Sequence, residues 1–162
     1  RRPIILEQLR ARGFSMITGQ QATQEYVRSY NRALTTMHQP GYYEIKFRWW
    51  EIIACGCVNI SNHTPLFDWL GYEPYEHYMP VEAEETDDGP WPVAHKVAEQ
   101  IVRLKNDKEL WQHISANALK KMASQDTYLH RAMSIFRDLG FNDLAKQAND
   151  IIENIFRKND LA

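Results

Sequence analysis

The chain has 162 residues, 44% of them apolar and 25% charged, the composition of a globular protein with room for one sizeable core. With 19 Lys and Arg against 21 Asp and Glu the net charge is -2, which argues against a general nucleic-acid binder. No run is long and apolar enough to span a membrane, and no signal peptide is recognisable.

Arg2 to Arg12 predicts a helix with Pro3 in its first turn and Ile4, Ile5, Leu6 and Leu9 available for burial. Gly13 ends it, and Phe14 to Thr18 predicts a short strand. Thr23 caps a second helix through Ala33, with Tyr26, Val27 and Tyr30 on its apolar side. Leu34 to Met37 predicts another strand, after which Gln39, Pro40 and Gly41 break the chain. A helix then starts near Glu44, ends at Gly56 and leads into a strand over Cys57 to Ser61 and a loop over Asn62 to Pro65. Residues 66–71 predict a helical turn or two ended by Gly71. The stretch 73–92 is rich in Pro, Tyr and acid, and its charge run (Glu82, Glu84, Glu85, Asp87, Asp88) reads as solvated surface. Beyond it helices are predicted at 93–105, 107–124, 126–138 and 141–158, with Asp107, Asp126 and Asn142 as caps or near-caps and Gly140 between the last two.

Helix and strand alternate through residue 61, which predicts an α/β fold. It is expected to hold a Rossmann-like parallel sheet with flanking helices and a helical C-terminal segment, in a single domain over 1–162. Such a unit normally begins on a central strand, whereas this one begins on a helix at Arg1 rather than at Met. The chain is therefore expected to be a fragment or one half of a larger two-domain protein.

Residues 44–61 carry the functional signal. Lys46 and Arg48 stand at the start of the predicted helix, where the macrodipole favours negative charge, and Glu44 and Glu51 share its face. An external anion held by basic side chains and free N–H groups would resolve that conflict. Phe47, Trp49 and Trp50 are assigned to the core rather than to a base-stacking platform. Cys55 and Cys57 are too close for a disulfide and lack the second thiol pair of a zinc site. They read as buried reduced thiols, which favours the cytoplasm.

The run Arg48-Trp-Trp-Glu51-Ile-Ile-Ala54-Cys-Gly56, followed by Ser61-Asn-His-Thr-Pro65, resembles the donor-binding domain of GT-B glycosyltransferases. It is most similar to the group-1, spore-maturation-protein-like type, which carries R-x-F-E-x-x-A-x-G and, later, T-Y-x-x-R. Thr127-Tyr128-Leu129-His130-Arg131 fits the late motif, and residues 26–33 resemble the helix ahead of the donor site. The likeness runs from about residue 2 to residue 137.

The resemblance implies transfer of a sugar from a nucleoside diphosphate sugar to an unknown acceptor, with no cofactor beyond the donor. It assigns Glu51 to the ribose hydroxyls, Arg48 with Lys46 to the diphosphate, Gly56 to close backbone approach, and Asn62 and Thr64 to the ligand edge of the sheet. Glu44 and Glu51 have six residues between them, one fewer than the E-x7-E pattern of retaining members, so Glu44 receives no role. Tyr128 and Arg131 are assigned to fastening the late helices. The acceptor half is expected from an N-terminal domain, in cis or in trans. The rival reading is a non-catalytic Rossmann-like interaction or regulatory module. The absence of G-x-G-x-x-G and G-x-x-x-x-G-K-[ST] counts against dinucleotide and P-loop sites.

Overall fold

The computed structural model describes residues 2–19, 22–40, 44–86 and 89–158. Gly41 of the predicted break and Asp87 and Asp88 of the acidic run lie outside them. In chain order the elements are α1 (Arg2–Ala11), α2 (Thr23–Arg32), β1 (Thr35–His38), α3 (Arg48–Ala54), β2 (Val58–Ser61) and α4 (Pro65–Leu70). These are followed by β3 (Met79–Pro80), β4 (Ala83–Glu84), β5 (Trp91–Pro92), α5 (Ala94–Asn106), α6 (Lys108–Gln125), α7 (Tyr128–Asp138) and α8 (Asn142–Lys158).

The chain is α/β, with a parallel three-stranded sheet in the order β1-β2-β3 flanked by helices, as a Rossmann-like unit requires. β4 and β5 pair antiparallel as a separate short ribbon. Every residue of β2 is buried, which fits a central strand with both faces covered. Val58 and Ile60 point into a cluster with Ile5 and Leu9 of α1, Val97, Ala98 and Leu104 of α5, and Ile114 of α6. On the opposite face Asn59 donates from Nδ2 to the Trp49 carbonyl at 3.2 Å. Trp49 there packs on Phe67, Tyr72 and Tyr78 with ring centroids 4.4, 5.5 and 5.7 Å away. The strand period of two divides the two cores: aliphatic side chains face α1 and α5, and polar ones face the aromatic layer of α3 and α4.

Two predicted elements differ. Phe14 to Thr18 forms no strand, because no neighbour supplies ladder hydrogen bonds. α3 begins at Arg48, not near Glu44, so Glu44 and Lys46 precede the helix and the supposed conflict with its dipole falls on Arg48 alone. Phe47, predicted as core, is 61% exposed, while Trp49 is fully buried.

The described residues form two compact units, Arg1–Ala118 and Leu119–Ala162, with the division inside α6. In the second, α7 and α8 make a helical hairpin in which Ala145, Ala148 and Ile152 are buried at helical spacing. Gly140 adopts φ 77°, with Gly140 N–H donating to Arg137 and Phe141 N–H to Phe136, a Schellman closure of α7. Asp107 caps α6 through Oδ1, which accepts from Leu110 N–H at 2.9 Å. Thr127, not Asp126, holds the N-cap position of α7. Among the described residues no helix is long and apolar enough to cross a membrane.

Candidate functional site

The register pairs His38 with Ser61 and Ser61 with Pro80, so all three parallel strands end at one edge. The chain leaves that edge after His38, after Ser61 and after Pro80, and open α/β sheets bind ligands outside such carboxyl ends.

Asn62 and Thr64 follow β2 directly and are 3% and 4% exposed. Thr64 holds the N-cap position of α4 with extended backbone (φ -142°, ψ 145°), yet its side chain makes no capping hydrogen bond. A threonine there ordinarily accepts from the N–H of the second or third helical residue. Instead its Oγ1 is buried without a partner, as is the Asn62 Oδ1. Both residues line a cavity of about 410 Å³ with His63, Val81, Glu82 and Glu85, and no Lys or Arg lines it among the described residues. Two buried, unpaired oxygens cost on the order of 1–3 kcal/mol each unless something donates to them.

His63 sits between two partners. Its Nε2 is 3.1 Å from Asp68 Oδ2 and its Nδ1 is 3.2 Å from the Tyr78 hydroxyl. Burial, aided by the Asp68 charge, pushes the Tyr78 phenol up to about 12, so it stays protonated at neutral pH. The arrangement is satisfied with Nε2–H donating to Asp68 and Nδ1 accepting from the Tyr78 hydroxyl. Both ring nitrogens are thereby engaged. His63 ties the loop to Asp68 of α4 and to Tyr78, and it also lines the cavity.

Glu51, Arg48 and Lys46 lie on or just before α3. Glu51 Oε2 accepts a 2.6 Å hydrogen bond from the Tyr26 hydroxyl. Burial and then that hydrogen bond raise the Tyr26 pKa, so the phenol remains the donor. Arg48 is exposed and lines a separate, larger cavity with Tyr26, Ser29 and Arg32. Lys46 Nζ is 3.6 Å from Glu44 Oε1, and both side chains are more than 60% exposed, a pairing of little energetic weight.

Gly56 belongs to the other edge of the sheet, ahead of β2. It adopts φ 70° and closes α3 in a Schellman motif, with Gly56 N–H donating to Ile53 and Cys57 N–H to Ile52. Its carbonyl accepts from Ser115 Oγ at 2.8 Å. The chain geometry here accounts for a glycine without any ligand. Cys57 is buried, which pushes its thiol up to about 12, with the neighbouring Cys55 adding to the shift. Neither cysteine joins a metal-binding group among the described residues.

The six expected site residues thus separate. Asn62 and Thr64 share one cavity, Arg48 lines another, Glu51 is bonded to Tyr26, Lys46 is solvated and Gly56 lies at the far edge. The sequence reading missed Tyr26 as the partner of Glu51, 25 residues away, and it missed Asp68 and Tyr78 around His63. Glu82 and Glu85 are exposed, as expected of the charge run, and both also line the Asn62–Thr64 cavity. None of these pairings follows a helical or strand spacing, so no local signal could reveal them.

Residues 1–137 match a family model described as "Glycosyl transferase-like". No curated protein matches the chain, and no solved structure does.

Proposed function

The chain belongs to the glycosyl transferase-like family, and we propose that it is the nucleotide-sugar-binding half of a GT-B enzyme of the group-1, spore-maturation-protein-like type. The observation that carries this reading is the pair of buried, unpartnered oxygens, Asn62 Oδ1 and Thr64 Oγ1, in two residues that line a cavity at the carboxyl edge of a parallel sheet. A cavity lined by an amide, a hydroxyl, an imidazole and two carboxylates, with no Lys or Arg among the described residues, suits a ligand rich in hydroxyl donors. We therefore assign Asn62 and Thr64 to the hydroxyl-bearing part of the donor.

The diphosphate needs positive charge and falls to Arg48, whose guanidinium fork fits phosphate oxygens, with Lys46 as helper. Glu51 is assigned to the ribose: one of its oxygens already accepts from a phenol, and two adjacent hydroxyls present the same kind of donor. Gly56 enters as the cap that fixes the end of α3. Catalysis would come from electrostatic stabilisation of the leaving diphosphate by these cations. The acceptor would be held by an N-terminal domain in cis or in trans, and the setting we assign is the cytoplasm.

Titration of the chain with UDP-, GDP- and ADP-sugars by calorimetry tests the proposal, alongside Glu51→Ala, Arg48→Ala and Thr64→Val. One donor is expected to bind the parent chain and to weaken in each variant. Equal affinity in all four proteins would overturn the assignment, and no binding of any donor would favour a non-catalytic module.

A further inference from the structure

In the second unit, α7 and α8 each carry two apolar stripes rather than one. The inner stripes, Leu129 and Phe136 on α7 and Ala145, Ala148 and Ile152 on α8, are half-buried or buried. The outer stripes are Tyr128, Ile135 and Leu139 on α7 and Leu144, Ile151 and Ile155 on α8, all between 43% and 69% exposed. Both outer stripes repeat after seven residues and then four, the spacing of a helix packing seam. A helix that simply lies on a protein surface turns polar residues to such positions.

Helix geometry puts the two outer stripes on one side of the hairpin. Tyr128 precedes Leu129, Ile135 precedes Phe136, Leu144 precedes Ala145 and Ile151 precedes Ile152, so each outer stripe is about 100° of rotation from its inner one. The short connection from Leu139 to Phe141 makes the helices antiparallel. Equal rotations away from a shared seam in antiparallel helices point the same way, and the outer side chains form one apolar face. Half-exposed side chains of this size sum to on the order of 600 Å², the upper limit of what a monomer leaves open to water. An apolar core of that area with a polar rim meets the roughly 800 Å² per partner of a stable interface.

We propose that this face joins two copies of the chain in a two-fold dimer, the hairpins stacking as a four-helix bundle. The occupant is a second copy because the face complements itself. Beside the outer stripe of α7 stand Arg131 and Asp138, both exposed and two turns apart on the same side of the helix. Their midpoint falls next to Ile135. A two-fold axis there lays α7 antiparallel on its copy and sets Arg131 against Asp138 of the second copy, twice. The midpoint of Leu144 and Ile151 on α8 is as far beyond Phe141 as that of Arg131 and Asp138 is ahead of it, so one axis serves both helices. It brings Leu144 onto Ile151 of the second copy and closes the assembly at two. The family match ends at residue 137, so α8 lies beyond it and the inference is independent of the donor reading.

Sedimentation velocity of the chain from about 1 to 100 μM is expected to show monomer and dimer in mass-action balance. Ile135→Lys and Ile151→Lys, both at exposed positions, are each expected to weaken the dimer about tenfold or more while helical dichroism is retained. Arg131→Asp and Asp138→Arg are expected to weaken it singly and to restore it in combination, the mark of a contact that pairs these residues between copies. A chain that stays monomeric over the whole range would overturn the proposal. So would a dimer indifferent to both lysine variants, or oligomers that keep growing with concentration. If a lysine variant loses helical dichroism the charge exchange decides alone, and a double variant no tighter than the single ones counts against the proposal.

Discussion

Replacing Thr64 with valine separates a binding role from a folding role within one side chain. The substitution keeps the volume and branching at a position 4% exposed and removes only the hydroxyl. That hydroxyl is buried, caps nothing and has no hydrogen-bond partner. A buried unsatisfied hydroxyl costs about 1–3 kcal/mol, so Thr64→Val is expected to raise the unfolding free energy by about 1 kcal/mol or more. For a ligand the sign reverses: one neutral hydrogen bond of about 0.5–1.5 kcal/mol is lost, which weakens donor binding roughly two- to twelvefold. Urea unfolding followed by tryptophan fluorescence gives the first quantity, and calorimetric titration with the best donor gives the second. A valine variant less stable than the parent by 1 kcal/mol would mean that the fold uses the hydroxyl, and the reasoning fails. So would a stabilised variant with unchanged affinity for a donor that binds.

Gly56→Ala is expected to cost about 1–2 kcal/mol in urea, because φ 70° penalises a side chain. Among the described residues an added Cβ would meet Ser115 Oγ at 3.8 Å, an ordinary contact, so crowding adds nothing. A loss of donor binding without loss of stability would contradict the capping role. Trp49→Ala, at a fully buried ring packed against three other aromatics, is expected to cost about 3–5 kcal/mol and to lose near-ultraviolet dichroism. A cost below 1 kcal/mol would remove the aromatic layer from the account of the fold. Stability is also expected to fall in alkali. The folded Cys57 thiol titrates near 12 against an ordinary 9, so its contribution is complete below 9 and drains away as pH rises from 9 towards 12. About 1.4 kcal/mol is lost by pH 10 from this group, and Cys57→Ala should flatten the decline measured by urea unfolding between pH 8 and 10. An unchanged slope would place the alkaline sensitivity elsewhere.

Much of the local structure was legible because its causes are local. Gly13, Gly71 and Gly140 stop helices where positive φ lets the chain turn, and the apolar period of α7 and α8 needs only the sequence around it. The run Val58-Asn-Ile-Ser61 reads as a buried strand for the same reason. Phe14–Thr18 has the alternation of a strand and lacks one, because a strand is defined by a partner that no pattern within it can supply. α3 begins later than its periodicity suggested, since Phe47 stays in solvent and Trp49 is the first ring of the aromatic core.

The site divides along the same line. The order of Arg48, Glu51 and Ala54 and the loop after β2 are written in the sequence, and with them the family to which the chain belongs. Which of those residues meet was decided by the tertiary structure alone. It joined Glu51 to Tyr26, braced His63 between Asp68 and Tyr78, and left Asn62 Oδ1 and Thr64 Oγ1 buried without a partner. The physical reason is that helix and strand periods act over a few residues. Desolvation and hydrogen-bond satisfaction depend on which distant segments close over a side chain, and only the packed sheet fixes that.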